Sequence, residues 1–340
     1  MPGTFTPERP RALFAMTAEN VPQVFPPEVM ARLRETVDID PALVVQDFGD
    51  PAARATLAGT EILITGWGCP PIDADVLRAA PRLRAVLHAA GSVKHMITPE
   101  CWERGLLVSS AAAANALPVA EYTLAMILVT GKDLVAARER YRARRTFGPF
   151  GIIPATGNFG RRVGVVGASR IGRRLIELLR PFDFEVSLAD PYADEATAKE
   201  LGVRLRPLDD LLRTSDVVTI HAPETPQTRH LIGRRELALM PDASVLVNTA
   251  RGSLVDTDAL VDEVRTGRIG AVLDVTEPEP LPPDSPLLDL PNVFVTPHLA
   301  GSQGNEVHRL GLTVVEELER LLRGEGLVHG VDRATLERTA

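Results

Sequence analysis

Short apolar runs alternate with segments of helical periodicity through the first third of the chain. Apolar runs bounded by polar and turn-forming residues predict strands, and apolar positions three and four apart predict helices. The predicted strands span 11–16, 61–65, 83–88 and 106–108, and the predicted helices span 27–35, 73–80 and 98–104, the last with Thr98 as its cap. This alternation is typical of a parallel sheet covered by helices.

The same alternation resumes after a long helical stretch predicted from Pro118 to Arg145. The later strands are predicted at 163–166, 185–189, 217–220, 244–247, 270–273 and 292–295, and the later helices at 171–179, 257–266 and 303–322. Residues 1–10 are expected to form a loose arm, and 146–160 a loop. The pattern predicts an α/β protein with two Rossmann-like or flavodoxin-like lobes, each built on a parallel sheet.

Composition and charge narrow the classes of protein. A length of 340 residues suggests about two domains. The net charge of -8 argues against a nucleic-acid partner. Cys69 and Cys101 are the only cysteines, so we expect no disulfide framework and no metal site. The N-terminus lacks the pattern of a signal peptide, and the longest helix-like apolar stretch, 122–130, is too short to span a bilayer, so we expect a cytoplasmic protein.

A glycine-punctuated turn follows the predicted strand 163–166. The segment from Gly167 to Gly172 nearly fits the GxGxxG dinucleotide fingerprint, but Ser169 replaces the middle glycine. Strand, tight turn and helix N-terminus together predict a phosphate cradle, because the first N–H groups of a helix lack intrahelical partners. The Ser169 side chain is expected to hold the backbone off the pyrophosphate, although its hydroxyl could donate to a phosphate oxygen. The candidate contacts are Gly167, Ser169, Arg170, Ile171 and Gly172.

Asp190 follows the next predicted strand, 23 residues after Gly167 (190 − 167). A carboxylate at this place can accept hydrogen bonds from the adenosine ribose, and it would repel a 2′-phosphate. Asp190 therefore favours NAD over NADP. The alternative is a turn aspartate before Pro191.

Further polar residues stand just past predicted strands, at the edge of a parallel sheet where ligands bind. Arg251 could hold a planar carboxylate through two parallel hydrogen bonds, or form a surface salt bridge. His298 could transfer protons near neutral pH, or be a hydrogen-bonded core histidine. Glu279 is either a solvated loop charge or the partner that stabilises the His298 imidazolium.

Three motifs in this order resemble the D-isomer-specific 2-hydroxyacid dehydrogenases. The segments 246–256, 273–280 and 295–301 resemble that family's arginine, glutamate and histidine motifs. Arg251 and Glu279 lie 28 residues apart (279 − 251), and Glu279 and His298 lie 19 apart (298 − 279), which also fits the family. The similarity covers nearly the whole sequence and is clearest from about Leu83 onward.

The resemblance implies a role for each motif residue. Arg251 would bind the substrate carboxylate and carbonyl oxygen, and His298 would donate or remove the proton on that oxygen. Glu279 would orient His298; Glu277 is a competitor, but the family's spacing from Asp274 selects Glu279. Asp274 would contact the nicotinamide carboxamide.

The resemblance also implies the remaining contacts. The Gly91-Ser92-Val93 turn would be the loop whose N–H groups bind the substrate carboxylate. Trp67, between two glycines after a predicted strand, is a candidate for shaping the substrate pocket, and equally a packing residue. The cofactor would be NAD, and its further contacts would be His221, Ala222, Pro223, Thr249, Ala250, Asp274, His298 and Gly301.

The family's organisation would place a substrate-binding domain at 1–115 and 300–340, with the NAD-binding Rossmann domain, 116–299, inserted into it. The expected reaction interconverts a 2-oxo acid and an (R)-2-hydroxy acid with NAD. A homodimer through the cofactor domain is implied, and the basic half of the long helix is either part of that contact or a solvated face. The alternatives are a non-catalytic NAD(H)-sensing binding protein, as in corepressor relatives, and a dehydrogenase for another small anion such as formate or phosphite.

Overall fold

The computed structural model describes residues 9–146 and 157–336, so most of the expected arm at 1–10 and of the loop at 146–160 lies outside the described residues. The chain divides into two compact units. The first comprises the chain up to Ala116 together with the segment from Ser302 onward, and the second is Leu117–Gly301. In chain order, the second unit is thus inserted into the first.

Ten strands lie at or within a few residues of the apolar runs that predicted them. The strands are β1 (Ala12–Ala15), β2 (Val44–Val45), β3 (Ile62–Thr65), β4 (Ala85–His88), β5 (Leu107–Ser110), β6 (Arg162–Val166), β7 (Glu185–Ala189), β8 (Arg204–Leu205), β9 (Val217–Ile220), β10 (Val245–Asn248), β11 (Gly270–Leu273), β12 (Val293–Val295) and β13 (Gly330–Val331). Of these, the two-residue strands β2, β8 and β13 were not predicted.

Helices follow most strands, as the alternation predicts. They are α1 (Val21–Val24), α2 (Pro27–Thr36), α3 (Pro51–Leu57), α4 (Ala74–Ala79), α5 (Pro99–Glu103), α6 (Ala112–Gly131), α7 (Leu134–Arg144), α8 (Arg170–Leu179), α9 (Glu195–Leu201), α10 (Leu208–Thr214), α11 (Arg234–Leu239), α12 (Thr257–Arg265), α13 (His308–Leu322) and α14 (Arg333–Leu336). Short 3₁₀ helices occur at Ala18–Asn20, Gly252–Leu254, Pro286–Leu288 and Gly304–Val307.

The first unit is built on a sheet of order β13-β5-β4-β3-β1-β2, parallel throughout except for the antiparallel β13. Alternating side chains of β3 enter opposite cores. Ile62 and Ile64 pack with Leu310 and Val314 of α13, and Leu63 packs with Leu57 of α3. Both faces are covered, which explains why the central strands are uninterrupted apolar runs.

The second unit is built on a fully parallel sheet of order β12-β11-β10-β9-β6-β7-β8. The strand order reverses direction between β6 and β9, and this crevice at the carboxyl ends of the strands is where ligands bind in open α/β sheets. One core contains Val163 and Val165 of β6 with Leu175 of α8, and the other contains Val218 and Leu246. The predicted α/β class with parallel sheets is confirmed.

The long helix differs from its prediction at both ends. It begins at Ala112 rather than Pro118, and a second helix follows the break at Lys132 and Asp133. A proline inside a helix removes one N–H bond, but the alanine-rich segment before Pro118 favours helix strongly enough to continue through it. The break occurs where Asp133 adopts a left-handed backbone, with φ 51°.

Two smaller expectations are also corrected. Thr98 stands before α5, but its hydroxyl donates to the Ile72 carbonyl at 2.8 Å and makes no side-chain cap. Helix α6 is long and apolar enough to cross a membrane by length and composition alone, which the shorter stretch 122–130 did not indicate. Ala120 and Ile127 of this helix are buried in the core of the second unit, and 33% of its apolar 18-residue window is buried.

Candidate active site

The turn after β6 is as tight as the glycine pattern requires. Gly167 has φ +100°, and a Cβ there would lie 2.7 Å from the Ala222 backbone nitrogen. A Cβ on Gly172 would lie 2.2 Å from the Gly167 carbonyl oxygen. Both positions therefore need glycine, because real Cβ atoms do not approach backbone this closely. The turn brings the start of α8 directly against the strand end.

The N–H groups of this turn divide into used and available ones. Ser169 is the N-cap of α8, and its hydroxyl oxygen accepts from the Gly172 N–H at 3.3 Å. The Ala168 N–H donates to Asp190 at 2.6 Å. Across the part of the chain that the structure describes, the N–H groups of Ser169, Arg170 and Ile171 have no protein acceptor. Three consecutive donors at a helix N-terminus fit a dinucleotide diphosphate.

Replacing Ser169 by glycine should keep NADH binding within roughly tenfold, the equivalent of about 1.4 kcal/mol. Glycine at an N-cap costs only a few tenths of a kcal/mol relative to serine, and it leaves the backbone donors in place. The measurement is a fluorescence titration with NADH. A complete loss of binding would show that the serine hydroxyl is a required contact.

Asp190 is held in the turn that follows β7. One carboxylate oxygen accepts from the Ala168 N–H, and the other accepts from the Tyr192 N–H at 2.7 Å. The turn role, given above as the alternative, is therefore present. Each carboxylate oxygen can accept a further hydrogen bond, so this arrangement still fits a ribose hydroxyl.

His221 follows β9 and is buried beneath the glycine turn. Its side chain is 1% exposed, and burial lowers its pKa to about 3. Its Nε2 lies 2.9 Å from the Thr219 hydroxyl, whereas Nδ1 has no partner among the described residues. His221 is thus a neutral, buried residue that packs beneath the glycine turn, and it is not a candidate for acid–base catalysis. The neighbouring Ala222 backbone nitrogen faces Gly167, and the Pro223 carbonyl accepts from the Thr228 hydroxyl at 2.6 Å.

The turn after β10 presents Arg251. Asn248 closes this turn, since its amide donates to the Arg251 carbonyl at 2.8 Å and accepts from the Ala250 N–H at 3.1 Å. The guanidinium donates to the Ala250 carbonyl at 2.7 Å, and no carboxylate pairs with it within residues 9–146 and 157–336. The surface salt bridge, which was the alternative for Arg251, is therefore wrong. Thr249 and Ala250 are buried.

Gly252 brings the arginine turn against the loop that carries the two candidate glutamates. A Cβ on Gly252 would lie 2.0 Å from the Thr276 carbonyl oxygen and 2.7 Å from the Glu277 nitrogen. The Thr257 hydroxyl donates to the Glu277 carbonyl at 2.6 Å and ties the same loop to α12. The two motifs therefore meet backbone to backbone.

Glu279 and His298 form a direct pair. The Glu279 Oε1 and His298 Nδ1 atoms lie 2.5 Å apart. An ionised carboxylate only accepts, so Nδ1 carries the hydrogen and Nε2 is the nitrogen left to exchange a proton. The His298 side chain is 52% exposed, so the alternative of a core histidine is wrong.

Glu277, the competitor in the same loop, is engaged elsewhere. It accepts from Arg229 at 2.8 Å and lies 3.4 Å from the His230 ring. The Arg229 hydrogen bond, with a further one from His230, lowers the pKa of this carboxyl. The structure therefore separates two glutamates that differ by two positions, and Glu279 alone faces His298.

Asp274 organises the loop that presents His298, a role that sequence reasoning did not assign to it. The side chain is 2% exposed. Its carboxylate accepts from the Thr296 hydroxyl at 2.6 Å and from the Leu299 and Ala300 N–H groups at 2.9 Å. The His298 N–H donates to the Asp274 carbonyl, also at 2.9 Å. The following Gly301 is the last residue of the second unit.

The remaining candidates belong to the first unit. Gly91, Ser92 and Val93 follow β4, and Val93 is buried. A Cβ on Gly91 would lie 3.5 Å from the Asn115 amide nitrogen. Trp67 follows β3 and is 40% exposed, so its indole is not a core side chain. No group of residues suited to a metal ion occurs among the residues described.

Comparisons with known proteins identify the family of the chain. The sequence profile described as "D-isomer specific 2-hydroxyacid dehydrogenase, NAD binding domain" matches residues 124–300. The chain is 39% identical over 259 residues to D-3-phosphoglycerate dehydrogenase from Mycobacterium leprae, covering 75% of this chain and 48% of the relative. It is 36% identical over 258 residues to glyoxylate reductase from Korarchaeum cryptofilum, covering 75% and 78%. The chain thus spans about half the length of the phosphoglycerate dehydrogenase relatives it matches.

A solved structure extends the similarity to nearly the full chain. D-lactate dehydrogenase from Aquifex aeolicus, complexed with NAD and lactic acid, has a TM-score of 0.73 and 28% identity, covering 95% of this chain and 100% of that one. Fold and site together define a dinucleotide-binding protein of two α/β units. The chain belongs to the D-isomer specific 2-hydroxyacid dehydrogenase family, and its second unit contains the family's NAD-binding domain.

Proposed function

We propose that this chain is an NAD-dependent oxidoreductase with the reaction 2-oxo acid + NADH + H⁺ ⇌ (R)-2-hydroxy acid + NAD⁺. The observation that carries the proposal is the 2.5 Å contact between Glu279 and His298. The loop of Glu279 is itself packed, at Gly252, against the arginine turn. Arg251 would supply a cation for the carboxylate of a substrate, and His298 would supply a proton donor beside it.

The cofactor would be held by the second unit. The free N–H groups at the start of α8 would bind the diphosphate, and Asp190 would accept from the adenosine ribose. When bound, NADH supplies the hydride. Asp190 disfavours a 2′-phosphate at this position because both charges are negative. The buried edge formed by His221, Ala222, Thr249 and Ala250 would exclude water from the cofactor's face.

The substrate groups are assigned on charge and geometry. Arg251 would bind the carboxylate and the carbonyl oxygen through its planar fork and draw negative charge towards that oxygen. His298 would donate the Nε2 proton to the oxygen during reduction and accept it during oxidation. Glu279 would stabilise the imidazolium between these steps.

Exchanging Glu279 for glutamine should lower kcat by about tenfold or more, because the neutral amide no longer stabilises the charged ring. Glu277→Gln is the matched control and should stay within about threefold, since Glu277 pairs with Arg229 instead. Steady-state kinetics on both variants checks the assignment. Equal losses in the two variants would contradict it.

The first unit, over 1–115 and 300–340, is proposed as the substrate-binding domain around the cofactor domain 116–299. The Gly91-Ser92-Val93 turn would bind the carboxylate through backbone N–H groups, and Trp67 would line the side-chain pocket. The substrate is proposed as a small 2-oxo or 2-hydroxy acid, because the relatives named above include a glyoxylate reductase and a D-lactate dehydrogenase.

We also infer a homodimer through the cofactor domain. Helix α7 contains no buried residue, and it exposes Leu134 by 51% and Tyr141 by 50%. Exposed apolar side chains on a helix favour an interface, although Arg138, Arg140 and Arg142 already pair with local carboxylates. Light scattering coupled to size-exclusion chromatography would measure the mass of the particle in solution.

The chain is proposed to act in the cytoplasm, with neither a membrane nor a nucleic acid as its partner.

An NADH-oxidation screen tests the function. The panel comprises glyoxylate, pyruvate, hydroxypyruvate, branched and aromatic 2-oxo acids, and phosphonopyruvate, with formate and phosphite run in the oxidative direction. Turnover of a 2-oxo acid at rates that His298→Ala abolishes is the expected result. NADH binding without turnover across the panel would overturn the enzyme and favour an NAD(H)-sensing protein.

A further inference from the structure

Two adjacent side chains of α6 reach two separate loops of the second unit. Tyr122 hydrogen-bonds the threonine two positions before His298. Thr123 hydrogen-bonds the threonine two positions before Arg251. These contacts join residues 174 and 126 positions apart in sequence. One turn of one helix therefore contacts both loops that carry the proposed catalytic residues.

The hydrogen bonds that run from Tyr122 through Thr296 to Asp274, here called the Tyr122 branch, have a definite direction. The Thr296 hydroxyl donates its only hydrogen to Asp274 at 2.6 Å, so the Tyr122 hydroxyl donates to Thr296 at 2.7 Å. Burial, with a smaller contribution from Asp274, raises the pKa of the Tyr122 phenol. Asp274 in turn accepts from the two amides after His298 and from the His298 N–H. The branch ends on the backbone that positions the histidine.

The hydrogen bonds that join Thr249, Thr123 and Val119, here called the Thr123 branch, have a definite direction for the same reason. The Thr123 hydroxyl donates to the Val119 carbonyl at 2.7 Å, so the Thr249 hydroxyl must donate to Thr123 at 3.0 Å. Thr123 is 0% exposed and Thr249 is 6% exposed. Thr249 stands directly between Asn248, which closes the arginine turn, and the buried Ala250 that precedes Arg251. The branch therefore fixes the start of the arginine turn.

We propose that Tyr122 and Thr123 are positioning residues. They hold the loops of His298 and Arg251 at fixed positions relative to helix α6. Each side chain acts on its loop through the hydroxyl of a threonine and the backbone beyond it. The catalytic part of this inference rests on the proposed function, whereas the anchoring of the two loops does not. Removing one anchor should loosen one loop and leave the other in place.

Hydrogen–deuterium exchange of the full chain, followed by mass spectrometry, tests the anchoring. Tyr122→Phe should speed exchange about threefold or more in peptides over 296–300 and leave 249–253 unchanged, as expected for the loss of one hydrogen bond. Thr123→Val should do the reverse. Unchanged exchange in both variants, or faster exchange in both loops of either variant, would overturn the proposal.

Two control variants separate anchoring from general damage. Thr123→Ser keeps the hydroxyl and should restore the exchange pattern of the unchanged protein. Thr313→Val removes a largely buried helical threonine whose hydroxyl donates to the Arg309 carbonyl at 2.8 Å, in α13 of the first unit. It should leave both loops of the second unit unchanged.

Steady-state kinetics tests the catalytic consequence with the best 2-oxo acid found in the screen. Tyr122→Phe should lower kcat about three- to tenfold with little change in KM, because small misplacement of a proton donor affects the transition state. Thr123→Val should raise KM for the 2-oxo acid more than it lowers kcat. Equal kcat and KM effects in both variants would contradict separate anchoring. No turnover by the unchanged protein would sink the proposed function, while the exchange experiment would still decide the anchoring.

Discussion

Replacing His298 by alanine is expected to lower kcat by about 10²- to 10⁴-fold while the dissociation constant of NADH changes by less than about twofold. The imidazole combines an Nδ1 atom held 2.5 Å from the Glu279 carboxylate with a side chain that is 52% exposed. Without it the carbonyl oxygen would take its proton from water. Stopped-flow hydride transfer and an NADH titration measure the two quantities.

His230 provides a matched control for this experiment. It is also a histidine beside a glutamate, 3.4 Å from Glu277, and both histidines have φ 52°. An alanine at either position therefore carries the same backbone cost. His230→Ala should keep kcat within about threefold. If His298→Ala behaved like His230→Ala, the assignment of the proton donor would be wrong.

Replacing Arg251 by lysine should lower kcat/KM for the 2-oxo acid by about 100-fold, the equivalent of about 2.7 kcal/mol. Lysine keeps the positive charge but loses the planar fork that holds a carboxylate by two parallel hydrogen bonds. The loss should appear mainly as a higher KM, together with a lower kcat because the carbonyl is no longer polarised. Initial rates over a wide range of substrate concentration separate the two effects.

Arg229→Lys is the control for the arginine exchange. Arg229 pairs with Glu277 at 2.8 Å with its side chain 55% exposed, and such surface pairs contribute little. Its kcat/KM should stay within about threefold. A substrate affinity in Arg251→Lys equal to that of the unchanged protein would show that charge alone binds the carboxylate.

Much of the fold was predictable because parallel strands buried on both faces are uninterrupted apolar runs. In the second unit, every strand except the unpredicted two-residue β8 lies within one or two residues of its prediction. The start of α6 was not predictable from the same rules, because Pro118 normally marks a helix start. There the helix-forming alanines before Pro118 outweigh one lost hydrogen bond.

The candidate site was predictable where a residue's neighbours lie in its own motif. The family's spacing selected Glu279 over Glu277, and the Arg229 contact now gives a physical reason for that choice. The connections of Tyr122 and Thr123 were missed, because side-chain contacts between residues 174 and 126 positions apart leave no local pattern. The contacts of Asp274 span only 22 to 26 positions, but they go to a hydroxyl and to backbone N–H groups that no sequence motif marks. Only the folded chain shows them.

Gly252 limits how the substrate range of this protein can be changed by design. The space for a Cβ is filled by the Thr276 carbonyl, so the segments 249–253 and 275–280 are two halves of one backbone contact. A library that randomises position 252, or that grafts either segment alone from a relative, would mostly yield chains that fail to fold. Recombination should instead move both segments together as a single cassette, with glycine kept at 252.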